Sequence, residues 1–346
     1  MATTLWFFRW PFLVTALGLA LAFWLGWQAT GTGAGAMTFF MIGAILAVLE
    51  ISLSFDNAIV NANKLKDMSP VWQKRFLTWG ILIAVFGMRI VFPLAIVAIA
   101  AQIGPFAAIH LAATDPAEYA RLIDEAHLSI SAFGGTFLMM VGLTYFIDDS
   151  KEVDWFCALE CRLRRCASLR GLQVGMVLIL VMVFASSLPK EESLTFLFSA
   201  LLGLLTFTAV DLLGHVLDSS QEVRATARVG GLGAFMYLEV LDASFSFDGV
   251  IGAFALTQNL FLVAIGLGIG AMYVRSMTIM LVERKTLAQF RYLEHGAFYS
   301  ILTLSVIMFA QSLFDISEFV TGALGAGLIV ASLYSSIRYN RHPIAD

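Results

Sequence analysis

The chain has 346 residues, 59% of them hydrophobic and 13% charged, with a formal net charge of −4. Ordinary soluble domains carry roughly 25% charged residues, so this composition, with a mean hydropathy of +0.84, excludes a fold whose surface faces water. The apolar runs are near-continuous rather than alternating, which excludes a transmembrane barrel, and the sparse, dispersed basic residues exclude a nucleic-acid partner.

The remaining class is an all-α polytopic membrane protein in a lipid bilayer, expected to form one transmembrane domain over 1–346. In chain order, the apolar runs predict about ten transmembrane helices, at 10–30, 37–61, 76–100, 128–147, 171–188, 194–216, 230–256, 259–282, 297–314 and 318–337. The first could be read as a secretory signal, because Arg9 precedes an apolar stretch that ends in small residues. That stretch is long for a signal and holds Trp10, Trp24 and Trp27, which favours a retained helix. Short linkers at 189–193 and 315–317 predict tight helical hairpins. The polar segment 101–127 carries Asp115, Glu118, Asp124 and Glu125 against Arg121 and reads as a solvated amphipathic loop.

The polar segment 148–170 holds all three cysteines, Cys157, Cys161 and Cys166. Their spacing matches no common zinc pattern and no histidine stands beside them, so they read as free thiols on a reducing face. With a cytoplasmic N-terminus, 17 of the 21 Lys and Arg residues fall on the inner side and only Arg121 and Lys190 on the outer. That asymmetry predicts a multi-pass protein with both termini and the 148–170 loop cytoplasmic. The other two basic residues, Arg89 and Arg275, lie inside spans.

The chemistry is concentrated in two matching phrases, Glu50-Ile-Ser-Leu-Ser-Phe-Asp56-Asn57 and Asp242-Ala-Ser-Phe-Ser-Phe-Asp248-Gly249. Stretches 43–63 and 235–255 share eight of 21 identities. A carboxylate in hydrocarbon costs about 2.5–3.5 kcal/mol even on lenient insertion scales, so two such pairs in matching contexts point to an ion site. In the predicted topology the two phrases run antiparallel, and each precedes a span with an internal arginine, Arg89 or Arg275. This is the pattern of an inverted repeat of an acidic helical hairpin, with cores at 37–100 and 230–282 and half-sites near the midplane.

Six residues advance about 240° around a regular helix, so Glu50 and Asp56 share a face only if the helix unwinds between them. Glu50 and Asn57, seven apart, share one without unwinding. A break at Ser-x-Ser-Phe-Asp is therefore expected, freeing carbonyls as further ligands. If Glu50, Asp56, Asn57, Asp242 and Asp248 converge, the site is oxygen-rich and anionic, suited to Mn2+, Ca2+ or Mg2+ rather than Cu+. Four carboxylates overcompensate one divalent ion unless some are protonated, and clustering raises their pKa values. Such a site can exchange metal for protons. Arg89 and Arg275 then read either as counter-charges when the metal leaves or as structural groups.

Asp211 and His215, followed by Asp218 and Glu222 at helical spacing, read as a proton route, a metal vestibule or simply a helix end surfacing into water. Glu239, one turn before Asp242, is a candidate for the same vestibule. The phrase Gly266-Leu267-Gly268-Ile269-Gly270 lacks the strand–helix context of a dinucleotide site and reads as small residues that let helices pack closely.

These motifs, Glu50-x5-Asp56-Asn57 with Arg89 and Asp242-x5-Asp248-Gly249 with Arg275, make the sequence resemble the TerC family of integral membrane proteins. That family is grouped with the lysine-exporter-like transporters, and the resemblance is to its longer bacterial branch with extra helices and a Phe-Asp-Gly second motif. The resemblance implies an inner-membrane metal-ion transporter with Glu50, Asp56, Asp242 and Asp248 as metal ligands. Several members of that family export Mn2+. Where the first motif has Asn57 the second has Gly249, which implies an asymmetric site.

The expected function is secondary transport exporting a divalent cation, Mn2+ ahead of Ca2+ or Mg2+, with protons as the counter-ion; the cation is cargo and no resident cofactor is expected. The chain is not expected to be an enzyme. Two other classes stay open at this point: a non-transporting membrane scaffold or metal-delivery factor beside the export machinery, and an intramembrane aspartyl protease, against which the missing Gly-x-Gly-Asp signature weighs.

Overall fold

A computed structural model describes residues 4–66, 68–148, 151, 153–165, 171–222, 231–314 and 316–341. Among the described residues the chain is helical, with no strand. Helices α1 (Thr4–Phe7), α2 (Arg9–Thr30), α3 (Gly33–Leu53) and α4 (Phe55–Leu65) precede α5 (Pro70–Leu82), a π-helical stretch (Ile83–Val91) and α6 (Phe92–Ala100). Next come α7 (Pro105–Thr114), α8 (Pro116–Glu125), α9 (His127–Phe146), α10 (Cys157–Arg165), α11 (Leu172–Ser187) and α12 (Lys190–Glu222). The chain closes with α13 (Leu232–Leu256), α14 (Leu260–Glu283), α15 (Thr286–Gln289), α16 (Leu293–Ala310) and α17 (Glu318–Arg341).

Seven of the described helices are long and apolar enough to cross a membrane: α2, α3, α9, α12, α14, α16 and α17. The other three expected spans are helical too. One is divided among α5, the π stretch and α6; α11 has 16 residues; and α13 carries Glu239, Asp242 and Asp248. The π stretch has a local cause. Pro93 has no N–H to give, and its ring crowds the carbonyl of the fourth residue before it, so the turns ahead of it widen. Helix α2 shows why lipid is required: Phe12, Leu13, Leu17, Leu21 and Trp24 are exposed, and only 11% of its apolar window is buried.

The chain forms two compact units, each gathered from three stretches of sequence. The first comprises Met1–Ala58, Pro70–His127 and Phe245–Met280. Its opening hairpin turns at Gly31, whose φ of 65° is open to glycine and whose N–H caps α2 on Trp27 O. Thr32 then starts α3 by accepting the Gly35 N–H. Leu46, Val250, Ala253, Val263 and Leu267 form one core of this unit.

A second core, with Val97, Ala108, Ala112, Tyr119, Leu122, Ile123 and Leu260, corrects the expectation of a solvated loop at 101–127. That segment is the helix pair α7 and α8. Asp115 caps α8 by accepting the Glu118 N–H at 3.1 Å, and Arg121 pairs with Glu118 and Glu125 on the polar face. The opposite face of α8 supplies Tyr119, Leu122 and Ile123 to the core, as an amphipathic helix should.

The second unit comprises Ile59–Ser69, Leu128–Ser244 and Leu281–Asp346. Helices α11 and α12 pack as a hairpin across Leu188 and Pro189. Helices α16 and α17 pack so closely that a Cβ at Gly296 would collide with Ser332. Here too the polar segment is partly structured, because α10 folds within it.

Candidate functional site

In the first unit, Glu50 sits in the last turn of α3 with 1% of its surface exposed. The Ser54 hydroxyl donates to its Oε1 at 3.0 Å. Ser54 itself leaves helical geometry, at φ −102° and ψ 17°, but its N–H still reaches Glu50 O at 3.0 Å. The first phrase is therefore interrupted at one residue, Ser54, between α3 and α4. The second phrase lies inside the unbroken α13, so the expected break occurs in the first phrase and not in the second. The hydroxyls of Ser52 and Ser244 bond locally and do not compete for the main-chain donors. Ser52 donates to Val48 O at 2.8 Å, and its repeat counterpart Ser244 donates to Val240 O at 3.0 Å.

Asp56 and Asn57 follow the bend in the first turn of α4 and are buried at 5% and 6% exposure. Asp56 Oδ1 accepts the Asn57 N–H at 2.9 Å. A carboxylate at a helix start also has the favourable end of the helix dipole. Asn57 Oδ1 is buried and has no hydrogen-bond partner among the described residues.

The Glu50 side chain runs between Gly249 of α13 and Gly270 of α14. A Cβ at Gly249 would stand 2.7 Å from Glu50 Oε2, and one at Gly270 would collide with Glu50 Cβ and Cγ. Both helices approach this carboxylate because both positions lack a side chain. The first acidic phrase is thereby brought against the second at the backbone next to Asp248. Gly249, which stands where the first phrase has Asn57, makes room for Glu50. The glycine phrase 266–270 likewise packs closely, with a Cβ at Gly266 colliding with Leu46.

Arg275 of α14 is 4% exposed, with its guanidinium 3.9 Å from the centre of the Phe76 ring. This is a desolvated cation–π contact. The side chains of Arg89, His215 and Asp248 lie outside the described residues.

In the second unit, Asp242 Oδ1 accepts a 2.7 Å hydrogen bond from Asn61 Nδ2, with both residues buried. Asn61 Oδ1 has no partner among the described residues. Glu239 is also buried, one turn before Asp242, whereas Asp211 on α12 is exposed. Sequence reasoning missed Asn61 and Gly270. Asn61 could have been found from spacing, since it stands four residues after Asn57 and so on the same face of α4.

A further polar cluster orders the 151–165 segment in the same unit. Glu160 of α10 is fully buried. It accepts hydrogen bonds from Lys151 Nζ at 2.5 Å, the Tyr299 hydroxyl at 3.0 Å and the N–H groups of Trp155 and Phe156, with His295 Nε2 at 3.4 Å. Burial would raise this carboxyl, but the hydrogen bonds from His295, Lys151 and Phe156 outweigh it and hold Glu160 down at about 2. Beside it, a polar cavity of about 780 Å3 is lined by Lys66, Asp148, Lys151, Arg291, Glu294 and His295, among others. Cys157 and Cys161 are free thiols, as expected, while Cys166 lies outside the described residues.

Each unit therefore contains buried side chains with oxygen atoms. The first has Glu50, Asp56 and the amide oxygen of Asn57; the second has Asp242, Glu239 and the amide oxygen of Asn61. Oxygen atoms of these types are the ones that hard divalent cations prefer. No curated protein and no solved structure matches the chain. A family model described as "Protein of unknown function (DUF475)" matches residues 55–343, taking in Asp56, Asn57, Asn61 and the whole second phrase while leaving Glu50 outside. With most of its length inside that match, the chain belongs to the DUF475 family.

Proposed function

We propose that the protein is a secondary transporter of the inner membrane that exports a divalent cation, Mn2+ ahead of Ca2+ or Mg2+, in exchange for protons. The observation that carries this reading is Glu50, a carboxylate with 1% exposure at the end of a helix apolar enough to cross a membrane. It is wedged against the Gly249 backbone of the second acidic phrase. Burying an ionisable group there is costly, and such groups mark ion pathways.

Several oxygens strip the cation of water, and their like charges favour protonation once the cation leaves. Metal and protons then compete for the same carboxylates, which is the requirement for antiport. The resemblance of both motifs to the TerC family supports the choice of metal, and the inward bias of Lys and Arg supports cytoplasmic termini.

The test is Mn2+ flux in proteoliposomes containing the purified full-length protein under an imposed pH gradient. Flux driven by the gradient is expected in the wild type, with loss in Glu50→Gln, Asp56→Asn, Asp242→Asn and Asp248→Asn. Undiminished flux in all four variants would sink the site. Tight Mn2+ binding without flux would support the metal-delivery scaffold instead.

A further inference from the structure

Away from the acidic phrases, the 151–165 segment brings together two thiols and a carboxylate. Cys157 and Cys161 are four apart on α10 and so project from one helix face. Their Sγ atoms are 2.8 Å apart, and Cys161 Sγ lies 3.2 Å from Asp154 Oδ2. One ligand atom from each of the three residues falls within 4.8 Å of the others. We infer that Asp154, Cys157 and Cys161 form a binding site for a thiophilic divalent cation such as Zn2+, separate from the oxygen ligands proposed for transport.

The geometry is close to what such an ion needs. With bonds of about 2.3 Å to sulfur and about 2.1 Å to oxygen, tetrahedral ligands stand roughly 3.5–3.8 Å from one another. Cys157 and Cys161 reach that separation by moving apart by about 1 Å, within the range of a χ1 adjustment. Three protein ligands leave the fourth position for water, and Cys157 is exposed, so an ion can enter from solvent.

Charge also balances. Two thiolates and Asp154 carry three negative charges, once each thiol has given its proton to solvent. A divalent ion supplies two positive charges. Arg164 supplies the third, with Nη2 2.7 Å from Asp154 Oδ2 and 3.8 Å from Cys161 Sγ, while Lys151, 3.7 Å from Asp154 Oδ1, is balanced by Glu160 at 2.5 Å. Arg164 is fixed by a second bond, from Nη1 to Lys151 O at 2.7 Å.

Contacts apart from the three ligands anchor the segment. Glu160, between the two cysteines in sequence but turned towards α16, takes the N–H groups of Trp155 and Phe156 and the hydroxyl of Tyr299. That anchor fixes the turn carrying Asp154 relative to the helix carrying the thiols, so binding orders little further chain. The ligand types also separate this site from the other. Thiolates select Zn2+ and its analogues, whereas carboxylate and carbonyl oxygens suit Mn2+, Ca2+ or Mg2+.

The probe is Co2+, then Zn2+, added to the reduced full-length protein in detergent micelles. Co2+ is expected to give thiolate-to-metal charge transfer in the near ultraviolet and tetrahedral d–d bands in the visible, both displaced by Zn2+. Cys157→Ser and Cys161→Ser are each expected to abolish the charge-transfer band, and Asp154→Asn to weaken affinity by about tenfold or more. Glu50→Gln should leave the band intact, which separates this site from the transport site. In the wild type, where misfolding cannot intervene, bound Zn2+ should protect Cys157 and Cys161 from maleimide, as read by mass spectrometry. Absence of the band in the reduced wild type, its persistence in the double serine variant, or unchanged maleimide reactivity with Zn2+ would each overturn the assignment.

Discussion

Asn61 Nδ2 donates a 2.7 Å hydrogen bond to Asp242 Oδ1, joining the helix that follows the first acidic phrase to the start of the second, 181 residues away in sequence. Both side chains are buried, at 2% and 9% exposure, so water cannot replace the bond if it is removed. A hydrogen bond to a charged group in such a place contributes about 1.5–3 kcal/mol. Asn61→Ala is expected to lower the unfolding temperature and weaken metal binding. A double-mutant cycle with Asp242→Asn should return a coupling of about 0.5–3 kcal/mol. A coupling near zero, read from denaturation in detergent, would show that the pair is not an energetic unit.

Gly249 and Gly270 both face Glu50, yet alanine at each should behave differently. At Gly270 the new methyl meets Glu50 Cβ and Cγ, close to the α3 backbone, so helices must move apart. Overpacking of this kind costs about 1–3 kcal/mol. At Gly249 it meets only the carboxylate end, which can swing aside. Gly270→Ala should therefore lose stability and metal response together, whereas Gly249→Ala should keep its melting temperature while its metal-induced stabilisation falls. Identical behaviour of the two variants in thermal melts with and without Mn2+ would contradict this account.

The Arg275 guanidinium stands 3.9 Å from the centre of the Phe76 ring. Desolvated cation–π pairs are worth about 2 kcal/mol. Phe76→Leu should destabilise the protein by at least that amount, since ring packing is lost as well, and Phe76→Trp should retain most of the interaction. Lysine is no substitute at Arg275, because the planar guanidinium is what stacks. Urea or thermal unfolding in detergent reports each case.

Glu160 should hold the 151–165 segment in place over a defined pH range. Its carboxyl is depressed from 4.5 to about 2, so its contribution is present above 4.5 and is lost as pH falls through about 2. Hydrogen exchange in this segment should stay slow at pH 5 and rise steeply only near the lower value. Glu160→Gln removes the charge at every pH, so its segment should exchange quickly even at pH 7. Acid-insensitive protection in the variant would remove Glu160 from this role.

Much of the fold is legible because lipid imposes a one-dimensional rule: each spanning segment must be helical and apolar. All ten expected spans are helices for that reason. The departures come where side chains act on their own backbone or on a neighbour. Pro93 widens the turns before it; the amphipathic face of α8 buries Tyr119, which polarity along 101–127 conceals. The expected break is confined to Ser54 in the first phrase and missing from the second, although both phrases have the same serines. The cysteines show the same limit, since a spacing that matches no zinc pattern still places two thiols and Asp154 together once α10 forms.

By itself, then, the sequence determined the membrane class, the helical positions and the identity of the acidic groups, because hydropathy, charge cost and duplication are properties of residues in order. Only the tertiary structure decided that Glu50 lies against Gly249 and Gly270, that Asp242 is held by Asn61 and that Glu160 anchors the thiol-bearing segment. Each of these depends on distances of a few ångströms between residues far apart in the chain. Such distances follow from how side chains of particular volume pack, which no pattern along one helix encodes.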